Sequence, residues 1–256
     1  MVMILDAIYE LDAALVFSAV LWILIAALIR GYTGFGSAAI AIAGLSMFLP
    51  PAKVIPLVLL LEIVAGIRLL PSVWRHIDWR QLRFITLGAL LSTPIGVLLL
   101  ATVPADTMRI VIYTSILIIA IMIGLGVRIP HGNHAVTVSS AGAASGVING
   151  AAGIGGLPLV AFFLSKDENA LVFRATLTAY LIGLDLYSCG IAGSYGLIDS
   201  NTLVLLIVLI IPLVLGISAG NRQFQKTQPN SFKRLALLLL ATISTVGLLR
   251  TLLIQA

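Results

Sequence analysis

Four ionisable residues lie inside long apolar runs of this sequence: Glu62, Arg68, Arg174 and Asp185. Because a charge at the centre of a membrane helix costs about 2.5 to 3.5 kcal/mol, such residues are functional candidates by default. We expect Glu62 and Asp185 to bind a coupling ion, either a proton or sodium, with a purely structural lock between helices as the alternative. The Arg174 guanidinium offers paired N–H donors that suit an oxyanion, although snorkelling to the membrane surface would also explain it.

Two glycine clusters supply a second kind of candidate. Residues 31–36 read GYTGFG, and residues 146–156 read GVINGAAGIGG. Glycine lets the backbone turn sharply and approach a ligand closely, and the helix that follows begins with unpaired N–H groups and the positive end of its dipole. These features predict an anion site, while the alternative is that the glycines only permit close helix packing.

The predicted substrate site combines both clusters with neighbouring neutral donors and one arginine. Its members are Gly34, Phe35, Gly36, Ser37, Asn149, Gly153, Gly155, Gly156, Arg174 and Thr176. The polar groups of Ser37, Asn149 and Thr176 are expected to complete the pocket around a small anionic substrate.

Other kinds of chemistry lack the residues they require. His76, His131 and His134 lie in polar segments, and the last two have no carboxylate or cysteine beside them, so no metal site is predicted. The sequence contains no nucleotide-binding loop of the G-x-x-x-x-G-K type, which excludes an ATP-driven pump within this chain. No histidine is placed to activate a serine, so an intramembrane serine protease is not expected. We therefore expect neither an enzyme nor a cofactor.

The composition explains where these residues must act. Hydrophobic residues make up 60% of the 256 residues and charged residues only 10%, whereas soluble domains are about half apolar and about a quarter charged. A soluble enzyme, a nucleic-acid-binding protein and a disordered scaffold are thereby excluded. The formal net charge of +5 is expected to reflect Lys and Arg in cytoplasmic loops. The acidic first residues predict no cleaved signal peptide.

Apolar runs divide each half of the sequence into five elements. The runs are 13–30, 34–49, 54–70, 82–102, 107–128, 135–149, 153–165, 172–197, 202–219 and 232–254. A membrane helix needs about 20 apolar residues, so the predicted fold is an all-α polytopic transmembrane bundle with about eight to ten crossings. In each half the second run is short and follows a glycine cluster, which predicts broken or re-entrant helices there.

The two halves, 1–130 and 131–256, are predicted to be repeats. With an offset of about 120 residues, Gly34 matches Gly153 and Glu62 matches Asp185. The basic residues alternate between matched loops: 71–83 is basic where 198–201 is not, and 220–234 is basic where 103–106 is not. Since basic loops stay in the cytoplasm, the repeats are predicted to have inverted topology, with both termini outside.

Inverted repeats with a discontinuous helix in each half are typical of secondary transporters, which hold their substrate near the bilayer midplane. The sequence therefore predicts alternating access, with the two repeats rocking about a bound anion. A passive anion channel is the alternative, but it would require a continuous polar stripe through several helices. An enzyme acting on lipid or quinone would require His, Asp or Cys clustered in the apolar runs.

The duplicated signatures, GYTGFGSAAIAIAGLSMFLP from Gly31 and GVINGAAGIGGLPLVAFFLS from Gly146, and the stretch VFRATLTAY from Val172 resemble the toluene sulfonate uptake permease family, also called the TauE/SafE sulfite exporters. The resemblance implies a bacterial inner-membrane carrier that moves sulfite, thiosulfate, sulfoacetate or a related organosulfonate, usually outward and without ATP. Small carboxylates remain an alternative substrate class. Besides the substrate, membrane lipid is an expected partner, and both a monomer and a homodimer are open.

Overall fold

The computed structural model describes residues 13–33, 36–127, 134–164, 170–224 and 229–255. Within these residues all regular secondary structure is helical. The α-helices are α1 Ala13–Thr33, α2 Ser37–Leu45, α3 Pro51–Val73, α4 Trp79–Thr102, α5 Ala105–Gly124, α6 His134–Ala152, α7 Gly156–Leu164, α8 Ala170–Ser194, α9 Ser200–Phe224 and α10 Pro229–Gln255, with a 3-10 helix at Trp74–His76. Each predicted apolar run coincides with one of these α-helices.

Five of the described helices, α3, α4, α5, α8 and α9, contain stretches long and apolar enough to cross a membrane. Helices α1 and α10 contain shorter apolar stretches, Leu15–Gly31 and Leu240–Leu253. Large apolar side chains remain exposed on the outside of the bundle, including Leu91 and Leu253. A bilayer removes such side chains from water, so the polytopic membrane fold predicted from composition is confirmed.

The helices are interrupted at both glycine clusters, as predicted. Helix α1 ends before Gly36, whose φ is +88°, and helix α6 ends before Gly153, whose φ is +66°. A residue with a Cβ pays about 1 to 2 kcal/mol in this left-handed conformation, which explains why glycine occupies both positions. A new short helix then starts on the far side of each break.

Each short helix folds back along the helix before it. Near the end of α2, Gly44 lies against the indole of Trp22 in the middle of α1, whereas Ser37 at the start of α2 contacts Arg30 near the end of α1. Helices α6 and α7 behave in the same way, because Thr137 near the start of α6 and Phe162 near the end of α7 line one cavity. Both pairs are therefore re-entrant hairpins.

Other glycines, inside and outside the clusters, allow close packing of the hairpins against long helices. A Cβ on Gly150 of α6 would lie 2.5 Å from the carbonyl oxygen of Thr93 in α4, and one on Gly216 of α9 would lie 2.6 Å from the Cβ of Ala27 in α1. Small residues allow this approach in membrane proteins. The two interpretations of the glycines thus apply to different residues: some form the breaks and others form the packing surfaces.

The helices of the two halves pack on one another reciprocally. The most extensive contacts join α4 to α6, α1 to α9, α3 to α8 and α5 to α10. If the helices of each half are numbered from one to five, the fourth helix of the first half packs on the first helix of the second half, and the first packs on the fourth. The two third helices pack on each other, and so do the two fifth helices. Helices α3 and α8 therefore face each other across the bundle and carry Glu62 and Asp185 into its interior, where both side chains are buried.

The two ends of the bundle differ in charge. At one end the Nζ of Lys53, at the start of α3, lies 2.9 Å from the Oδ2 of Asp199, just before α9. At the other end the loop between α3 and α4 exposes Arg75 and Arg80, and the N–H of Asp78 donates to the Oγ1 of Thr176 at 3.0 Å. We call this second end, with residues 74–83 and Arg174, the basic end.

Candidate functional site

A buried ion pair joins the first hairpin to α3. The guanidinium of Arg30 contacts the carboxylate of Glu62, and each residue is only 7% exposed. The Oγ of Ser37 donates to Glu62 Oε1 at 2.5 Å and accepts from Arg30 Nη1 at 3.1 Å. Three helices, α1, α2 and α3, are thereby connected at the hairpin tip, and Glu62 lies at the midpoint of α3.

A neutral counterpart joins the second hairpin to α8. The Nδ2 of Asn149 donates to Asp185 Oδ1 at 3.0 Å and to Ser188 Oγ at 3.2 Å, while its Oδ1 accepts from the Gly155 N–H at 3.1 Å. The buried Asp185 carboxylate thus accepts from an amide, whereas the Glu62 carboxylate is paired with a guanidinium. One side chain, Asn149, also stabilises the break itself by binding the backbone between α6 and α7.

The two clusters line a common central cavity of about 40 Å³. Arg30, Glu62, Asn149 and Asp185 all contribute to its wall. Because a cavity needs about 10 to 15 Å³ to hold one water, this volume accommodates a few waters. A larger solute would enter only after the hairpins and the long helices move apart.

Both short helices begin at this cavity. Ala38 and Ala39 in the first turn of α2, and Gly156 and Leu157 in the first turn of α7, form part of its wall. The first N–H groups of a helix have no partner within the helix, and they carry the positive end of its dipole. Two positive helix ends therefore converge on a cavity that also contains Arg30, as an anion site requires.

A second, wider cavity of about 230 Å³ lies next to the first and includes part of the basic end. Arg30 belongs to both cavities, and the second is also lined by Arg68, Arg174 and Ser218. The Nη2 of Arg68 lies 3.4 Å from Ser218 Oγ. The Nε of Arg174 is buried and has no hydrogen-bond partner among the described residues. We call this space the basic-end cavity.

The residues predicted from the sequence do not all lie at one cavity. Those that line the central cavity are Gly36, Glu62, Asn149, Gly153, Gly156 and Asp185. Ser37 and Gly155 hydrogen-bond to residues of its wall. Arg174 lines the basic-end cavity instead, and Thr176 is buried at the basic end, where it accepts from Asp78. Gly34 and Phe35 lie outside the described residues.

The predicted site does not include Arg30, which stands at the end of an apolar run. The repeat offset carries a signal that identifies it. The offset that matches Gly34 to Gly153 also matches Arg30 to Asn149, and Asn149 was already in the predicted site. The structure places these two side chains on the two carboxylates, Glu62 and Asp185.

Among the described residues, no group of three or more His, Cys, Asp or Glu side chains could hold a metal ion.

A family model described as "Sulfite exporter TauE/SafE" matches residues 19–246 of the chain. No curated protein and no solved structure matches it. The family match spans both hairpins, both buried carboxylates and both cavities, and the family consists of membrane transporters rather than enzymes. The chain therefore belongs to the TauE/SafE family, which is the toluene sulfonate uptake permease family, and is a multi-pass membrane transporter.

Proposed function

We propose that the protein exports a small sulfur-containing anion, such as sulfite, thiosulfate, sulfoacetate or another organosulfonate, by ion-coupled alternating access. The observation that carries this proposal is the central cavity, where the first turns of α2 and α7 meet the clusters of Glu62 and Asp185. Substrate would bind to the helix N-termini and to the donors of Arg30 and Asn149. An ion pair joins two helices at one end of the bundle, whereas a wider cavity lies at the other end. In alternating access the two ends differ in any one state, whereas a passive channel is open at both ends. The difference therefore supports a carrier.

The reciprocal helix packing supports two inverted repeats, residues 1–130 and 131–256. In each unit a re-entrant hairpin returns to the side from which it came, and the three long helices that follow add an odd number of crossings, so the second unit is inverted. Matching aspartates also cap matching helices: Asp78 Oδ1 accepts from Gln81 N–H at 3.0 Å, and Asp199 Oδ1 accepts from Thr202 N–H at 2.8 Å. These caps lie at opposite ends of the bundle, as inversion requires.

The charge of the central cavity supports coupling through Asp185. When both carboxylates are ionised, the one positive charge of Arg30 faces two negative charges, so the side chains of the cavity repel an anion and offset the attraction of the two helix ends. The charge of Glu62 is compensated by Arg30, whereas Asp185 accepts a hydrogen bond from the neutral Asn149. A proton or a sodium ion on Asp185 would remove the repulsion. We therefore infer that the anion and the coupling ion bind together.

The orientation supports export. Basic loops are retained in the cytoplasm, so we infer that the basic end faces inward, where the wall of the basic-end cavity shares Arg30 with that of the central cavity. An anion would enter through the arginines and leave past Lys53 and Asp199 once their ion pair opens.

Purified protein in liposomes tests the proposal through counterflow of labelled sulfite. A carrier saturates and shows counterflow, whereas a channel does neither. With Asp185→Asn, we expect the flux of labelled sulfoacetate, whose charge does not change near neutral pH, to lose its dependence on pH or sodium, because the ionisable group is gone. Asp106→Asn removes an exposed carboxylate that does not line the central cavity and should leave this dependence intact. An unchanged dependence in Asp185→Asn would contradict the coupling role. If small carboxylates, and not the other sulfur-containing anions, inhibit the flux of labelled sulfite, the substrate class would be small carboxylates.

A further inference from the structure

Three arginines from three different helices meet at the basic-end cavity. Arg30 comes from α1, Arg68 from α3 and Arg174 from α8, and Ser218 of α9 adds a hydroxyl. No carboxylate belongs to the described wall of this cavity. Three guanidinium groups around one small volume repel one another unless an anion lies between them.

The donors of this cavity are only partly used. Arg30 is paired with Glu62 on its other side, so its charge is compensated. Among the described residues, the exposed Arg68 contacts the neutral hydroxyl of Ser218 at 3.4 Å and no carboxylate, and the Nε of Arg174 is buried without a partner. An unsatisfied buried donor costs about 1 to 3 kcal/mol. Within the part of the chain that the structure describes, two positive charges and at least one N–H group therefore remain for a ligand.

We propose that the basic-end cavity is a second binding site, distinct from the central cavity, for a small oxyanion with two negative charges. A planar guanidinium binds two oxygens of such an anion at once, and Arg68 and Arg174 balance both charges. At about 230 Å³, the cavity is much wider than the 40 Å³ central cavity, so it can take the anion before the central cavity opens. In transport it would be the loading site, a role that rests on the proposed function. The binding itself does not require transport.

Calorimetric titration of the purified full chain in an uncharged detergent tests the site, with sulfite at a mildly alkaline pH, where it carries two charges. Arg68→Gln and Arg174→Gln are each expected to weaken sulfite binding about tenfold or more, since each removes a charge-assisted hydrogen bond. Arg174→Lys keeps the charge but loses the fork of donors, and should recover only part of the affinity. Arg75→Gln removes an exposed arginine at the same end that lines neither cavity, and should bind like the parent protein.

Three results would overturn the site. The first is unchanged sulfite affinity in folded Arg68→Gln and Arg174→Gln proteins. The second is equal affinity for methanesulfonate, which carries one charge. The third is loss of sulfite binding in nanodiscs of phosphatidylglycerol but not of phosphatidylcholine, which would assign the arginines to the headgroup of an anionic lipid. Asp185→Asn separates this site from the proposed transport function, because it should leave sulfite binding unchanged while the dependence of flux on pH or sodium is lost.

Discussion

The buried pair of Arg30 and Glu62 permits a quantitative prediction. The pair connects α1 to α3, and both side chains are less than a tenth exposed. Arg30→Gln leaves the Glu62 carboxylate buried with Ser37 as its remaining donor among the contacts described above. Removing one partner of a buried ion pair costs about 3 to 5 kcal/mol, because the other charge stays uncompensated. We expect the free energy of unfolding to fall by this amount in Arg30→Gln, and similarly in Glu62→Gln.

The double variant Arg30→Gln/Glu62→Gln should lose much less unfolding free energy than the two single variants lose in sum. Its two amides carry no charge and can hydrogen-bond to each other and to Ser37, so the expected cost is about 1 kcal/mol. The single effects sum to about 6 to 10 kcal/mol and the double variant costs about 1 kcal/mol, so the coupling energy of the cycle should be about 5 to 9 kcal/mol, beyond the usual 0.5 to 3 kcal/mol for contacting residues.

Equilibrium unfolding in mixed detergent micelles measures this cycle, with tryptophan fluorescence as the signal, because Trp22 packs against Gly44 within the same hairpin. The cycle of Lys53→Gln and Asp199→Asn is the control. Those side chains are 54% and 39% exposed, so their coupling should be only about 0.2 to 1 kcal/mol. Additive effects for Arg30 and Glu62 would refute the view that a desolvated charge pair fastens the hairpin to α3.

Two further predictions concern the second break and the far end of the bundle. Gly153→Ala forces a Cβ into a conformation with φ of +66° and to 2.6 Å from the Cδ1 of Ile42; it should lower stability by about 1 to 2 kcal/mol and reduce counterflow, whereas Gly183→Ala, with open space around the new Cβ, should do neither. Hydrogen bonds from Lys53 and Thr202 lower the pKa of Asp199 from 3.8 to about 2, so the ion pair stabilises the fold above about pH 4 and this contribution is lost as the pH falls towards 2. Thermal unfolding of Asp199→Asn should lack that acid-dependent step, and a step of unchanged size would contradict the assignment.

The elements of the fold follow from the sequence because they depend on local properties. Apolar runs of membrane length form helices in lipid wherever they occur, since the backbone has no other partner there. A glycine cluster between two runs ends one helix and starts another, as at Gly36 and Gly153. The two buried carboxylates could also be identified, because a charge in an apolar run is costly enough to require a reason.

The composition of the two cavities depended on tertiary structure. Hydropathy does not encode whether a short helix continues across the bilayer or folds back. In the first hairpin, the close approach of Gly44 to Trp22 shows that α2 folds back along α1. The fold-back brings Arg30 to Glu62, a pair whose members lie on different helices. Arg174 follows the second hairpin closely in the sequence. Helix α8 nevertheless carries this arginine into the basic-end cavity and not into the central cavity. Charge cost and helix length are properties of single segments, whereas the partner of each charge is set by which helix faces pack together.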